Sequence, residues 1–288
     1  MSSKKIIYKA SICALIFTTG VFTKSCSPVI DSSSSERRTK VDYDSVKDVI
    51  YTPKAWPQAV MGDIYKPKVT EKTPVVLLVH GGGWSKNDNR YQMAAIAKKL
   101  AKRGYTVFNV TYRLAPQFNF PAPVDDLHQA LKYLKSNEKR LNIDMDRVGV
   151  FGYSAGGHLA ELLAMRDMPK GIEIKAVVAG GTPHFVRVDP DFHMVKTFIG
   201  KSFDKDPEPY YKATPVDQVT ADFPPVFIYH GAEDELVPTL HVHKWVKRLE
   251  ELGVEHELYW VKGRGHIGTF LLPRQAINKS IEFLDKKL

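Results

Sequence analysis

Apolar positions along the chain fall into two kinds of stretch. Short runs at 75–79, 106–112, 148–151, 174–179, 225–229 and 257–261 read as strands. Longer stretches at 91–102, 124–135, 158–165, 240–252 and 273–287, with apolar residues every third or fourth position, read as helices. Strand and helix therefore alternate. That order predicts an α/β fold, a mostly parallel sheet with helices on both faces. Arg103-Gly104 ends the first helix. Two further strands, 44–52 and 59–65, come first, interrupted by Trp56-Pro57, and predict an antiparallel edge. The alternation breaks between Gly180 and Pro224. This insertion, about 181–224, includes Pro183, Pro190, Pro207, Pro209 and Pro215 and the aromatics Phe185, Phe192, Phe198, Phe203, Tyr210 and Tyr211.

The first 25 residues follow a different pattern. Lys4, Lys5 and Lys9 make a positive start, and residues 10–22 form an apolar core too short to span a bilayer as a helix. The segment reads as an export signal. Cys26 follows that core directly after Ser25, as at a bacterial lipoprotein processing site. Lipidation of Cys26 is expected, with a membrane anchor at the periplasmic or outer cell surface. Residues 26–40 include Ser32-Ser33-Ser34-Ser35 and read as a flexible tether; residues 41–288 form the single folded domain.

Composition narrows the function classes. A hydrophobic fraction of 43% is enough for a buried sheet. The net charge is +9, but Lys4, Lys5, Lys9 and Lys24 leave with an acid-free signal, so +5 remains. No basic run interleaved with aromatics is present, and no nucleic-acid partner is expected. Cys13 and Cys26 are the only cysteines, so the processed chain has no pair for an internal disulfide. No phosphate loop or zinc cluster is visible, and neither cofactor nor metal is expected.

Candidate chemistry centres on Gly152-Tyr153-Ser154-Ala155-Gly156-Gly157, between a strand and a helix. In that context a G-x-S-x-G turn lifts a serine hydroxyl above the end of the sheet. Serine is a weak nucleophile and needs a base within hydrogen-bond reach. His266 is the candidate base, on a loop made pliable by Gly263, Gly265 and Gly268. Asp234 is the candidate acid, and its neighbours Glu233 and Glu235 are the rivals. The anionic oxygen formed on attack needs backbone N–H donors. Ala155 supplies one; His80-Gly81-Gly82-Gly83-Trp84, after another strand, offers Gly82 and Gly83. Trp84 and Tyr153 are candidate pocket residues. His241 and His243, two apart on a helix, face different sides and make a poor metal pair. Asp125 and Asp126 open a helix and suit its dipole; Asp144 and Asp146 read as loop carboxylates.

Taken with Tyr112-Arg113-Leu114-Ala115-Pro116 and residues 120–126, these motifs resemble carboxylesterases of the α/β-hydrolase superfamily. The similar group holds hormone-sensitive-lipase relatives and bacterial feruloyl and acetyl-xylan esterases. The order Ser154, Asp234, His266 is the order of that fold. The resemblance covers roughly residues 60–288 and implies Gly82 and Gly83, rather than Gly81, as oxyanion donors. It also implies a small cap or pocket wall at the insertion. Tyr153 stands where the hormone-sensitive-lipase branch has Asp, which points toward the sugar-ester and formamidase branches. The function implied is a serine hydrolase that cleaves short-chain, acetyl-type esters, on small molecules or oligosaccharides, through an acyl-enzyme. An aryl formamidase or amidase of the same fold, and a non-catalytic binding protein, are the alternatives.

Overall fold

The computed structural model describes residues 40–85 and 87–288. The expected export signal, Cys26 and nearly all of the tether lie outside the described residues.

The eight strands are β1 (Tyr43–Ile50), β2 (Met61–Pro67), β3 (Thr73–Val79), β4 (Thr106–Val110), β5 (Ile143–Tyr153), β6 (Ile174–Gly180), β7 (Val226–Gly231) and β8 (His256–Val261). They form one sheet in the order β1-β2-β4-β3-β5-β6-β7-β8. β2 pairs antiparallel with β1 and β4, and every other pairing is parallel. β3 is buried throughout. Val75, Leu77 and Val79 enter the core on one face, Val76 and Leu78 the core on the other. The first face is covered by α2 (Ala122–Ser136), α4 (Ala155–Ala164) and α8 (Leu240–Leu252), the second by α1 (Ala94–Arg103) and α10 (Arg274–Lys287). α4 is buried on nearly every side, its two polar residues His158 and Glu161 included.

Six further helical pieces were not legible as periodic patterns: α3 (Glu138–Leu141), α5 (His193–Ile199), α6 (Glu208–Lys212), α7 (Pro215–Gln218), α9 (His266–Leu271) and a turn at Val186–Val188. None exceeds seven residues, about two helical turns. α5, α6, α7 and the turn lie in the insertion. β5 begins five residues earlier than the apolar run suggests, so Asp144 and Asp146 lie in the strand; Asp144 pairs with Arg147 at 2.7 Å.

The parallel register gathers the site. Val79 is level with Gly152, Tyr153 with Gly180, Gly180 with Tyr229, and Gly231 with Val261. The loops after β3, β5, β7 and β8 therefore leave the sheet along one edge, where open α/β sheets bind ligands.

Candidate active site

β5 ends at Tyr153 and α4 starts at Ala155, so Ser154 alone makes the turn. Its φ is 55° and its ψ −123°. That backbone region costs a non-glycine residue about 1–3 kcal/mol and persists only where the surroundings impose it. Here the Ser154 N–H donates to the Gly180 carbonyl at 2.7 Å, and its own carbonyl accepts from the His158 N–H at 3.1 Å. The motif's glycines have a close-packing reason. A Cβ on Gly152 would stand 2.2 Å from the Gly156 carbonyl, and one on Gly156 would stand 2.2 Å from the Val79 oxygen.

The three side chains singled out in the sequence meet above this turn. His266 Nε2 lies 3.0 Å from Ser154 Oγ, and His266 Nδ1 lies 2.7 Å from Asp234 Oδ2. A carboxylate can only accept, so Nδ1 carries the proton and Nε2 faces the serine hydroxyl as acceptor. Asp234 Oδ1 accepts the Val237 N–H at 2.8 Å, and its side chain is fully buried. Glu233 and Glu235, the rival acids, are exposed. His266 is not on a free loop. It is the first residue of α9, and its carbonyl accepts the Tyr153 hydroxyl at 2.6 Å. His230, missed in the sequence, donates from Nε2 to the Val237 carbonyl at 2.9 Å and lies 3.5 Å from Asp234. Burial pushes its pKa down to about 4, so at neutral pH it adds no charge beside the carboxylate.

The glycine loop turns through three successive positive φ values, 120° at Gly82, 60° at Gly83 and 58° at Trp84. His80 fixes its start. Nδ1 donates to the Gly81 carbonyl at 2.7 Å, Nε2 accepts the Thr111 hydroxyl at 3.0 Å, and the ring stacks on Tyr112. Trp84 fixes its end: it is buried, it stacks on Phe198 at 4.6 Å, and its Nε1 donates to His158 Nδ1 at 3.2 Å. His158 Nε2 in turn donates to the Ala213 carbonyl at 2.6 Å. Burial lowers the His158 pKa to about 3, so this bridge is a neutral imidazole.

Ser154 and His266 open into a cavity of about 750 Å³, which Gly82, Gly83, Trp84, Tyr153 and Ala155 also line. Its polar lining includes Ser85, Asn87, Asn89 and Gln92. The insertion contributes Val186, Phe192, Met194 and Val195, so it is a wall of the cavity. Leu236, Ile267 and Phe270 also line it, and Leu236 and Ile267 are exposed. Much of the apolar rim thus comes from outside the insertion, a feature the sequence did not suggest.

Two buried pairs support this region, and neither was anticipated. Asp126 does not serve a helix dipole. It is fully buried, accepting Arg113 Nε at 2.8 Å, the Arg113 N–H at 2.7 Å and Trp56 Nε1 at 2.7 Å, which pins the loop after β4. Glu161 on α4 faces His184 Nδ1 at 2.9 Å, both fully buried. Burial raises the first pKa and lowers the second to about 3, so acid and imidazole are both neutral. A glutamate within a mostly apolar helix was the available signal. His241 is buried and lines the cavity whereas His243 is exposed, as their spacing implies. Among the described residues no three His, Cys, Asp or Glu side chains gather as metal ligands.

The arrangement presents a hydroxyl, a base with an anionic partner, and a turned glycine loop at one cavity. The fold that carries this arrangement is shared with known proteins. A truncated carbohydrate esterase from gut microbiota superposes with a TM-score of 0.76 at 22% identity, covering 87% of this chain and 98% of that one. Esterase B from Lactobacillus rhamnosis gives 0.74 at 21%, over 87% and 88%. Esterase LipC of Mycobacterium tuberculosis is 27% identical over 226 residues, 71% of this chain and 56% of that protein. The chain spans about half the length of the curated relatives it matches. Residues 62–249 match the model of the family described as BD-FAE. A match across well over half of its length makes this chain a member of the BD-FAE family of α/β-hydrolases.

Proposed function

We propose that this protein is a serine carboxylesterase for short-chain, acetyl-type esters, including acylated carbohydrates. The observation that carries the reading is the hydrogen-bonded line from Ser154 through His266 to Asp234 at the cavity. His266 takes the serine proton as Ser154 attacks the ester carbonyl, and Asp234 holds the imidazole in the right tautomer. The N–H groups of Ala155, Gly82 and Gly83 receive the anionic oxygen, each donor being worth about 10²–10³ in rate. His266 then returns the proton to the leaving alcohol. Water, activated by the same imidazole, cleaves the acyl-enzyme. Relatives named esterases and carboxylesterases support the reaction class.

The cavity walls bear on acyl length. Each buried CH₂ contributes about 0.8 kcal/mol only where a continuous apolar channel receives it. Within the insertion only Val188 and Tyr211 are exposed large hydrophobics, which is a poor surface for an interfacial lid. The neighbouring amides of Asn87, Asn89 and Gln92 suit a hydroxylated alcohol. A neighbour named a carbohydrate esterase supports the same direction. Export and lipidation at Cys26 complete the reading: two or more acyl chains would hold the protein stably on a membrane.

The tests are direct. A fluorophosphonate probe should label the wild type and not Ser154→Ala, whose circular dichroism stays unchanged. kcat/KM over p-nitrophenyl esters should peak between acetyl and butyryl, with acetate released from acetylated oligosaccharides. A rate rising through C12 esters with no release from sugars would make the protein a lipase. Mass spectrometry of the native N-terminus should find acylated Cys26, and a free chain beginning elsewhere would refute the anchor.

A further inference from the structure

We propose that Tyr153 is a positioning residue for His266: its hydroxyl, bonded to the His266 backbone carbonyl, sets the distance between base and nucleophile. The inference rests on the carboxylesterase reading above.

His266 opens a helix of only six residues. Gly263, Gly265 and Gly268 surround it, and glycine-rich backbone is the least stiff. Asp234 grips the imidazole through Nδ1 and so sets the rotation of the ring. A grip on the side chain does not fix the backbone of His266 itself; the bond across the loop lies two residues earlier, where the Arg264 carbonyl accepts the Glu233 N–H at 3.0 Å. The Tyr153 hydroxyl holds the His266 backbone, donating to its oxygen at 2.6 Å in a buried setting. The Tyr153 ring also packs on the imidazole at 5.2 Å and on Phe270 at 4.9 Å.

Tyr153 and Ser154 are consecutive residues. Nucleophile and base are thereby referenced to the end of one strand, although His266 follows β8, three strands away from β5 in the sheet. The neighbouring strand end makes room for this ring. A Cβ on Gly181, which has φ 54°, would come within 2.8 Å of the Tyr153 phenol. Burial raises the phenol pKa far above its ordinary value, so the hydroxyl remains a donor at any working pH. Displacement of a reacting group by about 1 Å can cost 10²-fold in rate, so a fixed backbone here acts on kcat.

The experiment compares Tyr153→Phe with Tyr51→Phe. Both keep the ring and remove one buried hydroxyl-to-carbonyl bond; that of Tyr51 goes to Thr111 at 2.8 Å, away from His266. With p-nitrophenyl acetate, Tyr153→Phe should lose about tenfold in kcat, the scale of one missing hydrogen bond. Its KM should stay within about twofold of wild type, since the ring that lines the cavity is kept and only the hydroxyl bonded to the His266 carbonyl is removed. Fluorophosphonate labelling of Ser154 should slow in parallel. Tyr51→Phe should lose comparable thermal stability and keep wild-type kcat. Wild-type kcat and labelling in Tyr153→Phe, or equal losses in the two variants, would overturn the positioning role alone. A wild-type protein that neither turns over ester nor labels would overturn the carboxylesterase reading and the positioning role with it.

Discussion

Acid should destabilise the protein through His158, by an amount the structure sets. Both imidazole nitrogens have fixed roles: Nδ1 accepts from Trp84 at 3.2 Å, and Nε2 donates to Ala213 at 2.6 Å. A second proton would set N–H against N–H inside the core. Burial accordingly lowers the pKa to about 3, whereas the unfolded chain titrates near 6.5. Below about pH 6.5 the unfolded state binds a proton that the native state refuses. The stability contributed by the neutral ring is complete above that pH and drains as pH falls, by about 1.4 kcal/mol per unit. At pH 5 the loss from His158 alone is about 2 kcal/mol, a large part of an ordinary stability of about 5–15 kcal/mol. His230 and His241, lowered by burial to about 4 and about 3, act in the same direction. His184 acts in the same direction, but its partner Glu161, held neutral by burial, has the opposite sign: its stabilisation drains as pH rises. The assay is urea unfolding from pH 7 to 4.5 for wild type and His158→Gln. Gln keeps a donor toward Ala213 and cannot titrate. The variant should be less stable at pH 7, yet its curve should be shallower by about 1.4 kcal/mol per pH unit, one proton's worth. Parallel curves, or an NMR midpoint for His158 near 6.5, would refute the argument.

Other outcomes follow from the same contacts. Asp234→Asn should fold normally and lose about 10⁴ in kcat because the imidazole takes the wrong tautomer, while exposed Glu233→Gln stays near wild type. The reverse ranking in steady-state kinetics would move the acid to Glu233. Asp126→Asn leaves the buried Arg113 guanidinium without its carboxylate and should cost about 3 kcal/mol. Chemical denaturation reads that loss, and a change below about 1 kcal/mol would show the pair to be dispensable.

Most of the sheet and the residues of the site were legible because their signals are local. β3 and β7 contain the apolar runs 75–79 and 226–229, α1 stops at a glycine, and the glycines around Ser154 are imposed by backbone contacts of 2.2 Å. Other features depend on partners distant in sequence. Asp126 sits in the first turns of a helix, as a dipole-serving acid does; only the fold brings Trp56, 70 residues away, against it. His266 looked mobile because its glycines are visible in sequence and the Tyr153 hydroxyl, 113 residues away, is not. The insertion helices are too short for a periodic pattern, and proline obscures what remains.

The bridge from Trp84 through His158 to Ala213 bears on how this scaffold can be rebuilt. Ala213 and Phe198, which stacks on Trp84, both belong to the insertion, and Met194 lies directly against Gly83. A segment that looks like a replaceable specificity loop is thus also the buttress of the glycine loop. Transplanting another family member's insertion would change selectivity and loosen the loop in one step. Loop exchange in this scaffold should therefore succeed only when residues 84, 158 and 198 travel together with the carbonyl at 213. Chimaeras split between them would inherit a pocket without the support beneath it.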